Sequence, residues 1–251
     1  MLRHLGSKRT ARHNLRLTVL LGLTAGLVNA EGFLGFSVLT TNVTGHAALF
    51  AERIALQDWK TAQVIALWMC LFFSGAFFSS LVISLIGRNQ RFSYLLPVMV
   101  EIVILTVTAL TGHNYNGTLI SKEFFAGSLL FAMGLQNALV TVVSGAAVRT
   151  THLTGTFTDL GIELAQLFRT EAKEKSIVKQ KIKLHFSIIF FFMAGAVSGA
   201  YLFQRFSFYC FFVPVIILIF ALTYDILRIK AKQYYRAGLY SVKGTIKNTH
   251  H

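Results

Sequence analysis

Apolar residues run through this chain in long blocks, not in the alternating or one-sided patterns of a soluble domain. A helix that crosses a bilayer needs about 20 mostly apolar residues. Six segments meet that demand: roughly Leu17–Leu39, Thr61–Gly87, Tyr94–Thr111, Glu123–Gly145, His185–Phe206 and Phe208–Leu227. Asn29, Glu31, Gly32 and Gly35 interrupt the first block and predict a break or an early end there. The last two blocks are separated by a very tight turn. The pattern predicts an all-α polytopic membrane protein with six transmembrane helices.

The blocks also repeat. Gly26-Leu27-Val28-Asn29-Ala30 matches Gly134-Leu135-Gln136-Asn137-Ala138, and Thr40-Thr41-Asn42-Val43-Thr44-Gly45 matches Thr150-Thr151-His152-Leu153-Thr154-Gly155. Further on, Gly75-Ala76 matches Gly195-Ala196, and Pro97-Val98 matches Pro214-Val215; these are the chain's only 2 prolines. Each repeat holds three spans. Three is odd, so the second repeat enters the membrane from the opposite side. Such inverted repeats recur in secondary transporters, with sites at the repeat interface. The expected organisation is a basic cytoplasmic tail (1–14), a first three-helix repeat (15–112), a second (122–228) with a basic cytoplasmic loop (169–183), and a basic cytoplasmic C-terminal tail (229–251).

Composition agrees. Hydrophobic residues make up 54% of the chain and charged residues 14%, against about 25% charged in soluble domains. A soluble fold would aggregate through its exposed apolar surface, and disorder requires low hydrophobicity. Cys70 and Cys210 lie inside apolar runs and are expected to be small core residues without a disulfide. The basic N-terminus precedes an apolar run too long for a cleavable signal and without a clear cleavage site, so that run is the first span.

The net charge is +14, from 24 Lys and Arg against 10 acids. With the N-terminus inside and six spans, only Arg53, Lys60, Lys122 and Arg205 fall outside. The remaining basic residues fall inside, which places both termini in the cytoplasm. The charge therefore reports orientation. The basic run Arg169–Lys183 suits anionic lipid headgroups, and no nucleic-acid partner is called for.

The two Thr-Thr-x-x-Thr-Gly motifs are the most informative short segments. Each follows a span and precedes a short helical stretch, His46–Leu56 or Phe157–Phe168. Thr and Asn cap helices, and glycine lets the backbone bend. If the motifs dip into the membrane, their polar backbone must face protein or a water-filled cavity. Inverted repeats would then point two helix N-termini at each other, a potential anion site. The alternative is that Thr and Gly only cap and pack the turns. His46 and His152 sit at offset places in the motifs, with Asn42 the counterpart of His152 and Thr156 that of His46.

Glu101 lies well inside the third span opposite the apolar Leu218 of the other repeat. Intramembrane acids are expensive and mark function by default, though one that locks helices together fits as well. Glu31 is expected nearer the membrane surface. Asn29, Gln136 and Asn137 suit interhelical hydrogen bonds or ligand contact. Asp159 and Glu163 read as a solvated helix face, with a cytoplasmic gate against Arg149 or Arg169 the sharper alternative. Gly195-x-x-x-Gly199 and Gly75-x-x-x-Ser79 are small-xxx-small contacts, serving packing within the subunit or homo-oligomerisation. Metal-ligand spacing, a nucleophile–base pair and cofactor fingerprints are all lacking; no metal, no cofactor and no catalytic residue is expected.

At these motifs the chain resembles a known family. Residues Ala25–Leu34 with Thr41–His46 resemble the first signature of the YoaK-like family of bacterial inner-membrane proteins of unknown function, and Gly134–Ala138 with Arg149–Gly155 its second. Many members have Asp in place of Asn29 and Met-Thr-Gly-Asn in place of Val43–His46. The resemblance covers about residues 15–230 and implies a six-span bacterial membrane protein. The expected ligand site comprises Asn29, Thr41, Asn42, Thr44, Gly45, His46, Glu101, Asn137, Thr151, His152, Thr154 and Gly155, serving a small solute. A non-transporting scaffold and, further off, a lipid-modifying enzyme are the competing classes.

Overall fold

A computed structural model of the chain describes residues 11–87, 93–146, 148–169, 171 and 174–224. The expected basic tails fall largely outside them: 1–10 and 229–251, like Arg88 and Arg91, lie beyond the described residues. The described chain is all helix, without a strand. Its helices are α1 (Ala11–Phe36), α2 (Val43–Ala55), α3 (Trp59–Ile86), α4 (Leu95–Thr111), α5 (Leu119–Ser144), α6 (Leu153–Arg169) and α7 (Lys175–Phe206). After a 3-10 turn at Ser207–Phe211 the helix resumes over 212–224, here α8.

Local chemistry sets several boundaries. Asn42 caps α2 by accepting from the Gly45 N–H at 3.0 Å, and Asp58 caps α3 by accepting from the Thr61 N–H at 3.2 Å. Each satisfies one of the donors a helix start leaves free. Gly145 ends α5 in the left-handed conformation, at φ 66°, which glycine adopts without steric cost.

Five helical stretches are long and apolar enough to cross a membrane: Leu15–Phe36, Trp59–Ile86, Leu95–Asn114, Leu119–Ser144 and Lys175–Tyr224. The chain is a membrane protein by this measure. The outer surface agrees: Phe73, Phe77, Leu81 and Leu85 recur every helical turn on α3 and are all exposed, as are Phe186, Phe190, Met193 and Val197 on α7. Such stripes suit lipid, not water.

The last stretch, of 50 residues, doubles back at its 3-10 turn. Phe203 and Phe208 both sit beside Gly35, near the end of α1. Arg16, near the start of α1, donates to the Tyr224 hydroxyl at 3.0 Å. So α7 runs alongside α1 in the same direction, and α8 returns along it.

α1 and α5 form the interior. They cross antiparallel: Phe36 stacks on Phe125 at 5.2 Å, Gly32 faces Leu129, and the Gln136 amide donates to the Leu21 carbonyl at 2.8 Å. Each central helix takes one parallel partner. α3 lies along α5, and a Cβ at Gly75 would overlap the Phe131 carbonyl while one at Gly134 would overlap the Phe72 carbonyl. α7 lies along α1 in the same manner, Gly195 against the Leu23 carbonyl and Gly26 against that of Phe192. The small-xxx-small faces of α3 and α7 are therefore filled within the chain. Ser79 is fully buried, and Gly199 meets Leu27.

Several expectations need correction. α1 is unbroken to Phe36, because Asn29, Glu31, Gly32 and Gly35 turn their polarity or small size toward protein. Glu31 is 0% exposed, packed inside the protein. α7 begins at Lys175, so most of the expected basic loop is helix. Cys210 is buried, but Cys70 is exposed on the outside of α3. α2 and α6 each start before the predicted stretches, which puts Thr44-Gly45 and Thr154-Gly155 into their first turns.

Candidate solute cavity between the two turns

After α1 ends, the chain turns back along it. The Asn29 side-chain carbonyl accepts from the Thr41 N–H at 3.1 Å and from the Thr41 hydroxyl at 2.9 Å. After α5 ends, Thr151 does likewise, its hydroxyl donating to the Asn137 side chain at 2.8 Å. Both asparagines lie about seven residues, roughly 10 Å of helix rise, before the end of their helix. Each turn is thus anchored well below the helix end it follows.

The two turns meet at one cavity of about 740 Å³, within the range of small-molecule sites. Of the expected site residues, Asn29, Thr41, Asn42, Thr44, Asn137, Thr151, His152 and Thr154 line it together. Asn42 and His152 precede α2 and α6, so the first residues of both helices face the same space. Phe72 and Phe192, from equivalent places on α3 and α7, close it with Met69, Phe73 and Ala76. Sequence reasoning missed these apolar walls; nothing marks a lining Phe among 23.

The remaining expected residues lie elsewhere. Gly45 sits under the cap: a Cβ there would meet the Asn42 amide. Gly155 has the same relation to the His152 ring, and it lines a neighbouring cavity of about 480 Å³. His46 is buried under α2, its ring 5.5 Å from that of Trp68. Burial lowers its pKa below the ordinary 6.5. Glu101 is 0% exposed on α4, neither carboxylate oxygen has a hydrogen-bond partner among the described residues, and it lines neither cavity.

The neighbouring cavity shares Arg149, His152 and Thr154 with the first and adds Asp159 and His185. Glu163 is not on a solvated face: it is 6% exposed and lies 2.8 Å from His185 Nδ1, pinning α6 to α7. Gln136, with its bond to Leu21, is interhelical glue. Among the described residues no group of three or more His, Cys, Asp or Glu gathers as a metal site would need.

The family model described as a protein of unknown function, DUF1275, matches residues 17–224. The chain belongs to the DUF1275 family. The YoaK-like resemblance is consistent with it. The match runs from the second turn of α1 through α8 and so includes both turns of the cavity. No curated protein and no solved structure matches this DUF1275 chain.

Proposed function

We propose that this DUF1275 protein binds a small solute between its two turns and passes it across a membrane. The observation that carries the proposal is the single cavity walled by both turns. In this account α1, α3 and α4 form one three-span repeat, and α5, α7 and α8 form a second of opposite orientation. The parallel pairs α1 with α7 and α3 with α5, each with glycines packed against the partner's backbone carbonyls, support it. So do the two matching Asn–Thr anchors. The turns then enter the membrane as re-entrant segments around a polar cavity, which is where irregular backbone is tolerated. The distribution of Lys and Arg supports cytoplasmic termini in a bacterial inner membrane.

The test is uptake by liposomes holding the full-length protein, screened with labelled amino acids, carboxylates, sugars and quaternary amines. Saturable uptake of at least one is expected, reduced roughly tenfold by Asn137→Ala or Thr154→Val, the loss of one or two hydrogen bonds. Absence of both flux and ligand-induced stabilisation for every solute contradicts the proposal and favours a scaffold.

A further inference from the structure

The cavity is chemically lopsided. Its hydrogen-bonding frame comes from both halves of the chain: Asn29 and Thr41 from one, Asn137 and Thr151 from the other. Its charge comes from one half only. Among the described residues Arg149 is the single formally charged side chain in its wall, and Leu39 occupies the corresponding place in the first motif. Similarly His152 stands where the first motif has Asn42. No Asp or Glu among the described residues lines the space.

Arg149 also lacks an acidic partner: no ion pair among the described residues involves it. Asp159 lines the neighbouring cavity together with Arg149 but does not line this one. A cleft lined by one sign of charge focuses its field on an entering ion of the opposite sign. A guanidinium presents paired N–H donors matched to the oxygens of a carboxylate or phosphate. The opening residues of α2 and α6 line the same space, and N–H groups at such positions lack intrahelical acceptors; they add donors and no acceptors.

We infer that the cavity selects a small oxyanion, a carboxylate or a phosphate, bound off-centre against Arg149. This rests on the solute-binding account above and adds the chemical class of the solute.

The experiment is thermal unfolding of the detergent-purified full chain at matched ionic strength. Acetate, malonate and inorganic phosphate are the probes, with acetamide and malonamide as neutral isosteres. The expected result is a saturable rise in melting temperature with at least one anion and none with the amides. The responding probe separates carboxylate from phosphate. Arg149→Gln should weaken the response about tenfold or more, and Arg149→Lys should keep part of it. Arg149 is exposed, so both variants should melt like the parent without ligand. Amides that stabilise as well as the acids, or an anion response that survives Arg149→Gln, overturn anion selection while leaving a solute site standing. No response to any probe overturns the inference as well; only a blank liposome screen besides removes the solute site.

Discussion

The side-chain carbonyl of Asn29 receives both the backbone N–H and the hydroxyl of Thr41, at 3.1 and 2.9 Å. One residue on a membrane-length helix thereby ties down the turn that follows it. Asn29→Ala strands both donors and should destabilise the protein by about 1–3 kcal/mol. Asn29→Asp keeps an acceptor at the same place and should cost less. Melting curves of the purified variants check the order; equal losses would mean that the anchor is not the hydrogen bond.

The glycine crossings predict a sharp contrast. A Cβ at Gly75, Gly134, Gly26 or Gly195 meets a backbone carbonyl that cannot move aside. Gly75→Val and Gly195→Val should each cost about 3 kcal/mol or more, read as lost monodisperse protein on size exclusion. Gly161, in α6, faces open space, and a Cβ added there would have no neighbour within 4 Å. Gly161→Ala should be neutral or stabilising by up to about 1 kcal/mol.

Glu163 and His185 hold α6 to α7 through a 2.8 Å contact between side chains that are 8% and 17% exposed. A double-mutant cycle with Glu163→Ala and His185→Ala should return a coupling of about 1 kcal/mol. Additive losses would show that the contact contributes nothing beyond packing.

His46 predicts a pH dependence. Its folded pKa lies below 6.5, because burial disfavours the imidazolium. The unfolded chain therefore binds more protons than the folded one at mildly acid pH. Stability from this site is complete above 6.5 and falls as the pH drops below it. His46→Phe should flatten that part of the stability profile, measured by thermal melts between neutral and acid pH. An unchanged slope would assign the acid sensitivity to other groups.

The long apolar blocks were legible in the sequence because membrane helices are written in consecutive residues. Eight of the expected site residues do meet at one cavity, since Asn29 and Asn137 recur before equivalent turns. Other features depend on direction, which spacing alone does not state. Glu31 turns inward beside Cys210, Glu163 finds a histidine 22 residues away, and His46 points under α2 to Trp68, not into the cavity. Phe72 and Phe192 become cavity walls only once α3 and α7 lie beside α5 and α1.

The central claim, that the two turns wall one cavity, is tested most directly by cross-linking Thr44→Cys to Thr154→Cys in membranes. Cys70, which is exposed, is replaced by Ser, while the buried Cys210 stays. A short bifunctional thiol reagent should join the pair within one chain. It should fail to join Thr44→Cys to a cysteine at Phe168, 90% exposed near the far end of α6. If each single cysteine reacts with a monofunctional reagent but the Thr44–Thr154 pair never cross-links, the two turns do not share a cavity and the account is wrong.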